Sequence, residues 1–225
     1  MLKGHPDAEE LKRDRRAAAD AFVRACRNSD VAALYAAADL TNDVLLGGWR
    51  AVIRAVAKQV QTVSPDIQQA FLRVWTDSKD LPNSVGDHPA LCAAARVLLP
   101  AYQGPAVHLF RGTRANEHRR RTYGVCWTAD IGVAEDLARA RQYDEGSVVL
   151  ETLAPPEAII CAVEYPESFS QDEIARHKSE CPNIQITEFH EEREHVVDRR
   201  HLNAVTVVRR YARVGDGSHV DDARA

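Results

Sequence analysis

The chain has 225 residues, 45% of them hydrophobic and 28% charged, with a formal net charge of −4 at pH 7. This is ordinary globular composition, long enough for one large domain or for a domain with a helical appendage. It excludes a chain-wide basic field of the kind that holds nucleic acid or an anionic membrane, and no apolar run approaches the roughly 18 residues of a membrane helix.

The first residues, 1-MLKGHPDAEELKRDRR-16, lack the apolar core of a signal peptide, so a cytoplasmic location is expected. Residues 7–27 place Leu11, Ala18, Phe22 and Ala25 at helical spacing, with Asp7 positioned to cap. Ser29 and Asp30 precede a second helix, 31-VAALYAAA-38. Over 41–60, the residues Leu45, Trp49, Val52, Ile53, Val56 and Val60 form one amphipathic stripe. The segment 64-SPDIQQAFLRVWTD-77 opens with a capping serine and a proline at the first helical position. A loop over 77–89 leads into a helix from Pro89 to Leu99, which Pro100 stops. Trp49, Phe71 and Trp75 fall within these stripes and are predicted to pack a core, not to touch a ligand. Residues 1–100 are thus an all-helical region with no catalytic constellation.

After Pro100 the period changes from helical to alternating. Strands are predicted at 106-AVHLFRG-112, 123-YGVCWTAD-130, 146-GSVVLETL-153, 158-AIICAVEY-165, 194-EHVVD-198 and 203-NAVTVVRRYARV-214, with one helix near 130–141. The basic run 113-TRANEHRRRTY-123 is predicted to be a loop. The tail, 215–225, has almost nothing to bury and is predicted to be disordered. The five cysteines, Cys26, Cys92, Cys126, Cys161 and Cys181, form no Cys-x-x-Cys pair. Neither a disulfide framework nor a structural zinc site is implied, and a reducing compartment fits.

The stretch 189-FHEEREHVVDRR-200 has the look of a zinc-protease helix, which needs two histidines four residues apart. His190 and His195 are five apart, so they diverge on a helix and oppose each other on a strand. No metal is expected. As a strand, Glu192, Glu194 and Val196 share one face, and Arg193, His195 and Val197 share the other. Two adjacent carboxylates are costly unless a cation or polar ligand compensates them; the alternative is a charged edge in solvent.

Three pieces follow one another in the strand-rich half: 108-HLFRG-112, 124-GVCWTAD-130 and 191-EEREHVVD-198. Together they resemble the arginine–serine–glutamate class of ADP-ribosyltransferases, which includes bacterial toxins and phage-encoded enzymes. The resemblance covers about residues 104–214 and has no counterpart for the helical region. The pattern of elements predicts an α+β fold, an N-terminal helical region (1–100) before a mixed, mostly antiparallel core (101–214). The resemblance implies that this core is catalytic, with two sheets facing across an NAD cleft. It implies cleavage of the nicotinamide–ribose bond of NAD, the cosubstrate, through an oxocarbenium-like state, with transfer of ADP-ribose. By the same resemblance Arg111 grips the pyrophosphate, and Gly112 lets the backbone approach the nicotinamide amide. Glu194 is the catalytic carboxylate, and Glu192 receives the acceptor. A carboxylate at Glu192 suits an arginine side chain on a protein partner. Cys126 and Thr128 occupy the positions of the family's serine motif, and Trp127 packs either under the cofactor or in the core. Cys126 departs from the family, because a thiol is a weaker donor than a hydroxyl. Three other outcomes stay open: transfer to water or a nucleic-acid base, a binding module that has lost catalysis, and a plain mixed-class domain of unrelated function.

Overall fold

A computed structural model of the chain describes residues 7–43, 47–78, 81–143, 145–163 and 194–213. The chain divides into two units, Met1–Tyr102 and Gln103–Ala225.

The first unit is helical: α1 (Ala8–Asn28), α2 (Val31–Asp43), α3 (Gly48–Gln59), α4 (Pro65–Asp77), a single turn α5 (Leu81–Ser84) and α6 (His88–Leu98). The start signals act largely as the sequence suggests. Ser64 accepts from the Ile67 amide at 3.4 Å, with Pro65 in the first turn, and Asp30 accepts from the Ala33 amide at 2.9 Å. Asp7 makes no side-chain cap. The stripe expected to run unbroken over 41–60 is interrupted at Gly47, whose φ of 90° lies in the left-handed region that side chains disfavour. Leu45, at the head of that stripe, lies outside the described residues. Phe22, Trp49, Phe71 and Trp75 stack edge to face with ring centroids 5.9–6.3 Å apart, which makes them the centre of this unit's core.

The second unit carries six strands: β1 (Val107–Arg114), β2 (Cys126–Thr128), β3 (Ser147–Ala154), β4 (Ile159–Ala162), β5 (Glu194–Val197) and β6 (Thr206–Tyr211). Two helices interrupt them, α7 (Ala115–Arg120) and α8 (Ile131–Ala140). Helix α7 falls where a loop was expected; at six residues it is too short to show a helical stripe. The strands form one sheet in the order β4-β5-β2-β1-β3-β6, every neighbouring pair antiparallel. The expected pair of facing sheets is therefore corrected to a single antiparallel sheet in an α+β fold. The physical reason is β2. This three-residue strand pairs with β5 along its whole length and with β1 at one position, Phe110 opposite Thr128, so it joins the two halves.

Helix α8 covers the half built from β1, β3 and β6. Its Ala134 and Ala138 pack with Val149 and Tyr211, flanked by Phe110 and Val208. Asp130 starts it, accepting from the Gly132 amide at 2.7 Å and the Val133 amide at 3.4 Å. The small residues on its inner face let it approach closely, and Gly112 completes that fit. A Cβ on Gly112 would lie 2.1 Å from the Ala134 carbonyl oxygen and 2.5 Å from the Ala138 nitrogen. No described helix is long and apolar enough to cross a membrane.

Candidate functional site

The motif residues meet where β1, β2 and β5 run side by side. Opposite residues in an antiparallel pair share a face, as do residues two apart in one strand. In the register of β2 with β5, Thr128 lies opposite Glu194 and Cys126 opposite Val196. Cys126, Thr128 and Glu194 therefore project on one face of the sheet. Trp127 and its cross-strand partner His195 project on the other.

Glu194 opens β5 and keeps part of its surface exposed, whereas His195, Val196 and Val197 are buried. The Cys126 thiol donates a hydrogen bond to the Glu194 carboxylate. Burial first, and then the negative charge and hydrogen bond of Glu194, push that thiol well above its ordinary range; Arg111 and Arg141 act weakly in the opposite sense. Cys126 is consequently a neutral donor that orients a carboxylate, with little thiolate character to make it a nucleophile. Thr128, buried on the same face, accepts from the Asp130 amide at 3.0 Å. Its hydroxyl thus ties the end of β2 to the cap of α8.

Arg111 is the most unusual group here. It is only 9% exposed, and its Nη1 donates to the Cys126 carbonyl. Its buried Nε has no hydrogen-bond partner. Among the described residues no carboxylate pairs with it within salt-bridge distance. Burial lowers its proton affinity, Arg141 lowers it further, and the negative charges of Glu117 and Glu194 partly offset both. A cation so enclosed costs several kcal/mol in desolvation (about that much even after relaxation), normally met by a paired anion. Gly124 makes room for it: a Cβ there would stand 2.8 Å from the Arg111 Nη2.

Three neighbours were not singled out from sequence. Arg141, at the C-terminal end of α8, donates to the Gly112 carbonyl at 2.9 Å and brings a second cation toward Arg111. Glu117 of α7 accepts from the Thr113 hydroxyl beside the end of β1. Gly124 stands against the guanidinium itself. An arginine ending a helix, a glutamate in a polar run and a glycine before a strand are each commonplace, so no sequence signal marks them.

Gly112 and Trp127 are accounted for by packing. Gly112 is where α8 lies on β1, and Trp127 is 1% exposed, edge-on to Tyr123 with centroids 5.9 Å apart. Glu192 lies outside the described residues. The described site thus brings together Arg111, Cys126, Thr128 and Glu194, with Arg141 and Glu117 at its margin.

No protein-family model, curated protein or solved structure matches the chain.

Proposed function

We propose that this protein is an NAD-dependent mono-ADP-ribosyltransferase, with an arginine side chain on a protein as acceptor. The observation that carries the reading is the buried Arg111 guanidinium, without a paired described carboxylate, beside a Glu194 carboxylate held by the Cys126 thiol. An enclosed cation of this kind suits a polyphosphate, whose oxygens match the planar fork of arginine. Arg141 supplies a second positive charge for the same group. Glu194 suits the other end of NAD, where positive charge develops on ribose as nicotinamide leaves. The order of the three motifs along the chain supports the same reading.

In this reading Arg111 and Arg141 hold the pyrophosphate. Glu194 accepts a hydrogen bond from a ribose hydroxyl and stabilises the cationic transition state. Cys126 and Thr128 keep the Glu194 end of β5 in place. Trp127 is a core residue and Gly112 a packing residue, so neither is assigned a contact to NAD. Glu192 takes its acceptor role from the sequence resemblance alone.

The test is transfer of label from NAD to protein in a bacterial lysate, with Glu194→Gln, Glu192→Gln and Arg111→Lys beside the wild type. Loss of one electrostatic stabiliser typically costs about 100- to 1000-fold, so Glu194→Gln is expected to abolish both transfer and NAD cleavage. Glu192→Gln is expected to lose transfer while NAD hydrolysis survives. Arg111→Lys is expected to weaken NAD binding. A wild-type protein that binds NAD without turnover would favour the binding-module reading, for which the weak donor at Cys126 is the specific argument. A protein that neither binds nor consumes NAD ends both readings.

A further inference from the structure

One end of the sheet gathers positive charge that the proposed reaction does not use. The end of β1, the start of β3 and the end of β6 lie in line there, with Arg114 opposite Ser147 and Ser147 opposite Tyr211. One step inward, Thr113, Val148 and Arg210 form a row. Helix α7 leaves β1 at this end and is anchored by the Ala115 amide on the Gly146 carbonyl at 3.1 Å and by the Thr113–Glu117 hydrogen bond. Its last turn and cap carry Arg119, Arg120 and Arg121, all exposed, as are Arg210 and Arg213.

Arg119 and Arg121, at the end of α7, and Arg210, on β6, all act on one side chain. His118, between them, has its proton affinity lowered by burial and then by Arg210, Arg121 and Arg119 together. Two described carboxylates face the cluster: Glu145, which accepts from Arg119 at 2.9 Å, and Glu117, which Thr113 engages. No ion pair holds Arg120, Arg121 or Arg210 among the described residues. Helix α7 has six residues, a macrodipole too small to call for three arginines at its end. Arg121 also sits at φ 53°, in the left-handed region where glycine would be free of strain, so an arginine is kept there against local preference. Two residues before Glu145, whose carboxylate accepts from Arg119, Tyr143 is 65% exposed.

We propose that this end of the sheet binds a single-stranded nucleic acid, with Arg120, Arg121 and Arg210 on consecutive phosphates and Tyr143 as a stacking platform for a base. Guanidinium groups drawn from two separate elements suit a phosphodiester backbone, and an exposed aromatic beside them is what distinguishes an unpaired strand from a merely acidic ligand. Backbone charge and stacking are common to every base, so binding of this kind is expected to depend little on sequence. The surface adjoins the candidate site through Glu117, but none of its arginines is assigned to NAD, and the proposal does not depend on the transferase reading.

Fluorescence anisotropy of a labelled oligothymidylate with the full chain tests this. Contact with three to four phosphates predicts roughly a 20- to 50-fold loss of affinity between about 50 and 200 mM salt, at ~0.7 counterions released per phosphate. The triple variant Arg120→Gln, Arg121→Gln, Arg210→Gln is expected to lose most of the binding and flatten the salt dependence. A control triple in α1, Arg13→Gln, Arg16→Gln, Arg24→Gln, changes net charge equally and is expected to bind as wild type. Tyr143→Ala is expected to weaken binding about tenfold, and Tyr143→Phe to preserve it. The proposal is overturned if wild type does not bind at low salt, or if the α1 control loses as much as the cluster variant. It is equally overturned if polyglutamate displaces the oligonucleotide as well as unlabelled oligonucleotide does, which would make the partner an acidic protein.

Discussion

Replacing Gly112 by alanine is expected to destabilise the strand-rich unit, against the usual sign of that change. Where space allows, glycine to alanine stabilises by about 0.4–1 kcal/mol through the unfolded chain. At Gly112 the new methyl would meet the Ala134 carbonyl oxygen at 2.1 Å, the Ala138 nitrogen at 2.5 Å and the Leu137 carbonyl carbon at 3.0 Å, whereas ordinary contact starts near 3.4 Å. All three are backbone atoms of α8, so no side chain can swing away and the whole helix must lift. Overpacking costs about 1–3 kcal/mol in general, and rigid backbone on both sides puts this site at the upper end. Set against the unfolded-state gain, a net loss of roughly 2 kcal/mol is expected. Lifting α8 also loosens Ala134 and Ala138 from Val149 and Tyr211, so amide exchange should quicken along the helix. Urea unfolding followed by circular dichroism, with hydrogen exchange on α8, reads both effects. An unchanged midpoint with unchanged exchange would refute the close approach of α8 to β1. Gly86→Ala makes a useful contrast: nothing lies within 4 Å, so its cost comes only from φ of +61°. Loss of activity in Gly112→Ala would not, by itself, argue for contact with NAD.

Three further outcomes are expected. Burial raises the proton affinity of the fully buried Asp198, but hydrogen bonds from the Arg200 side chain (2.7 and 2.9 Å) and backbone outweigh it and hold the carboxyl below its usual range. A depressed folded value stabilises above the unfolded pKa of about 3.9 and is lost as pH falls below it. Asp198→Asn should therefore cost about 2 kcal/mol near neutral pH, discounted for the half-exposed Arg200, and the gap in urea midpoints should narrow below about pH 4. Cys126 should alkylate more slowly at pH 8 than an unperturbed thiol, and Cys126→Ser should raise NAD turnover about fivefold, since a better hydrogen bond to a charged group is worth roughly 1 kcal/mol. Equal or lower turnover in that variant would show that the thiol does not limit Glu194. Arg121→Gly should raise thermal stability by about 1 kcal/mol through relief of the left-handed strain, while weakening oligonucleotide binding.

The helical unit was the more legible of the two. Ser64 with Pro65 fixes the start of α4, and the helical spacing around Phe22, Trp49, Phe71 and Trp75 marks the core of the unit. Local chemistry sufficed because a helix satisfies its hydrogen bonds within itself. The strand positions were readable as well, apart from β2, which is cut to Cys126–Thr128, although the Val125 carbonyl still accepts from the Val197 amide of β5 at 2.8 Å. What could not be read was partnership. Whether the strands made one sheet or two turned on a single pair, Phe110 with Thr128, that no periodicity encodes.

For the site, the sequence by itself determined which residue types were present and in what order: an arginine within one strand, a thiol and hydroxyl two apart on the next, a glutamate opening another. Alternation alone placed Cys126 and Thr128 together and Trp127 opposite. The tertiary structure decided the rest. Cross-strand register set Glu194 against Thr128 and within reach of the Cys126 thiol. Packing enclosed Arg111 without a carboxylate of the described chain, brought Arg141 toward it, and assigned Gly112 to α8. Side-chain periodicity is a property of one strand, whereas burial, desolvation and pairing belong to segments far apart in the chain, and only the folded sheet brings them together.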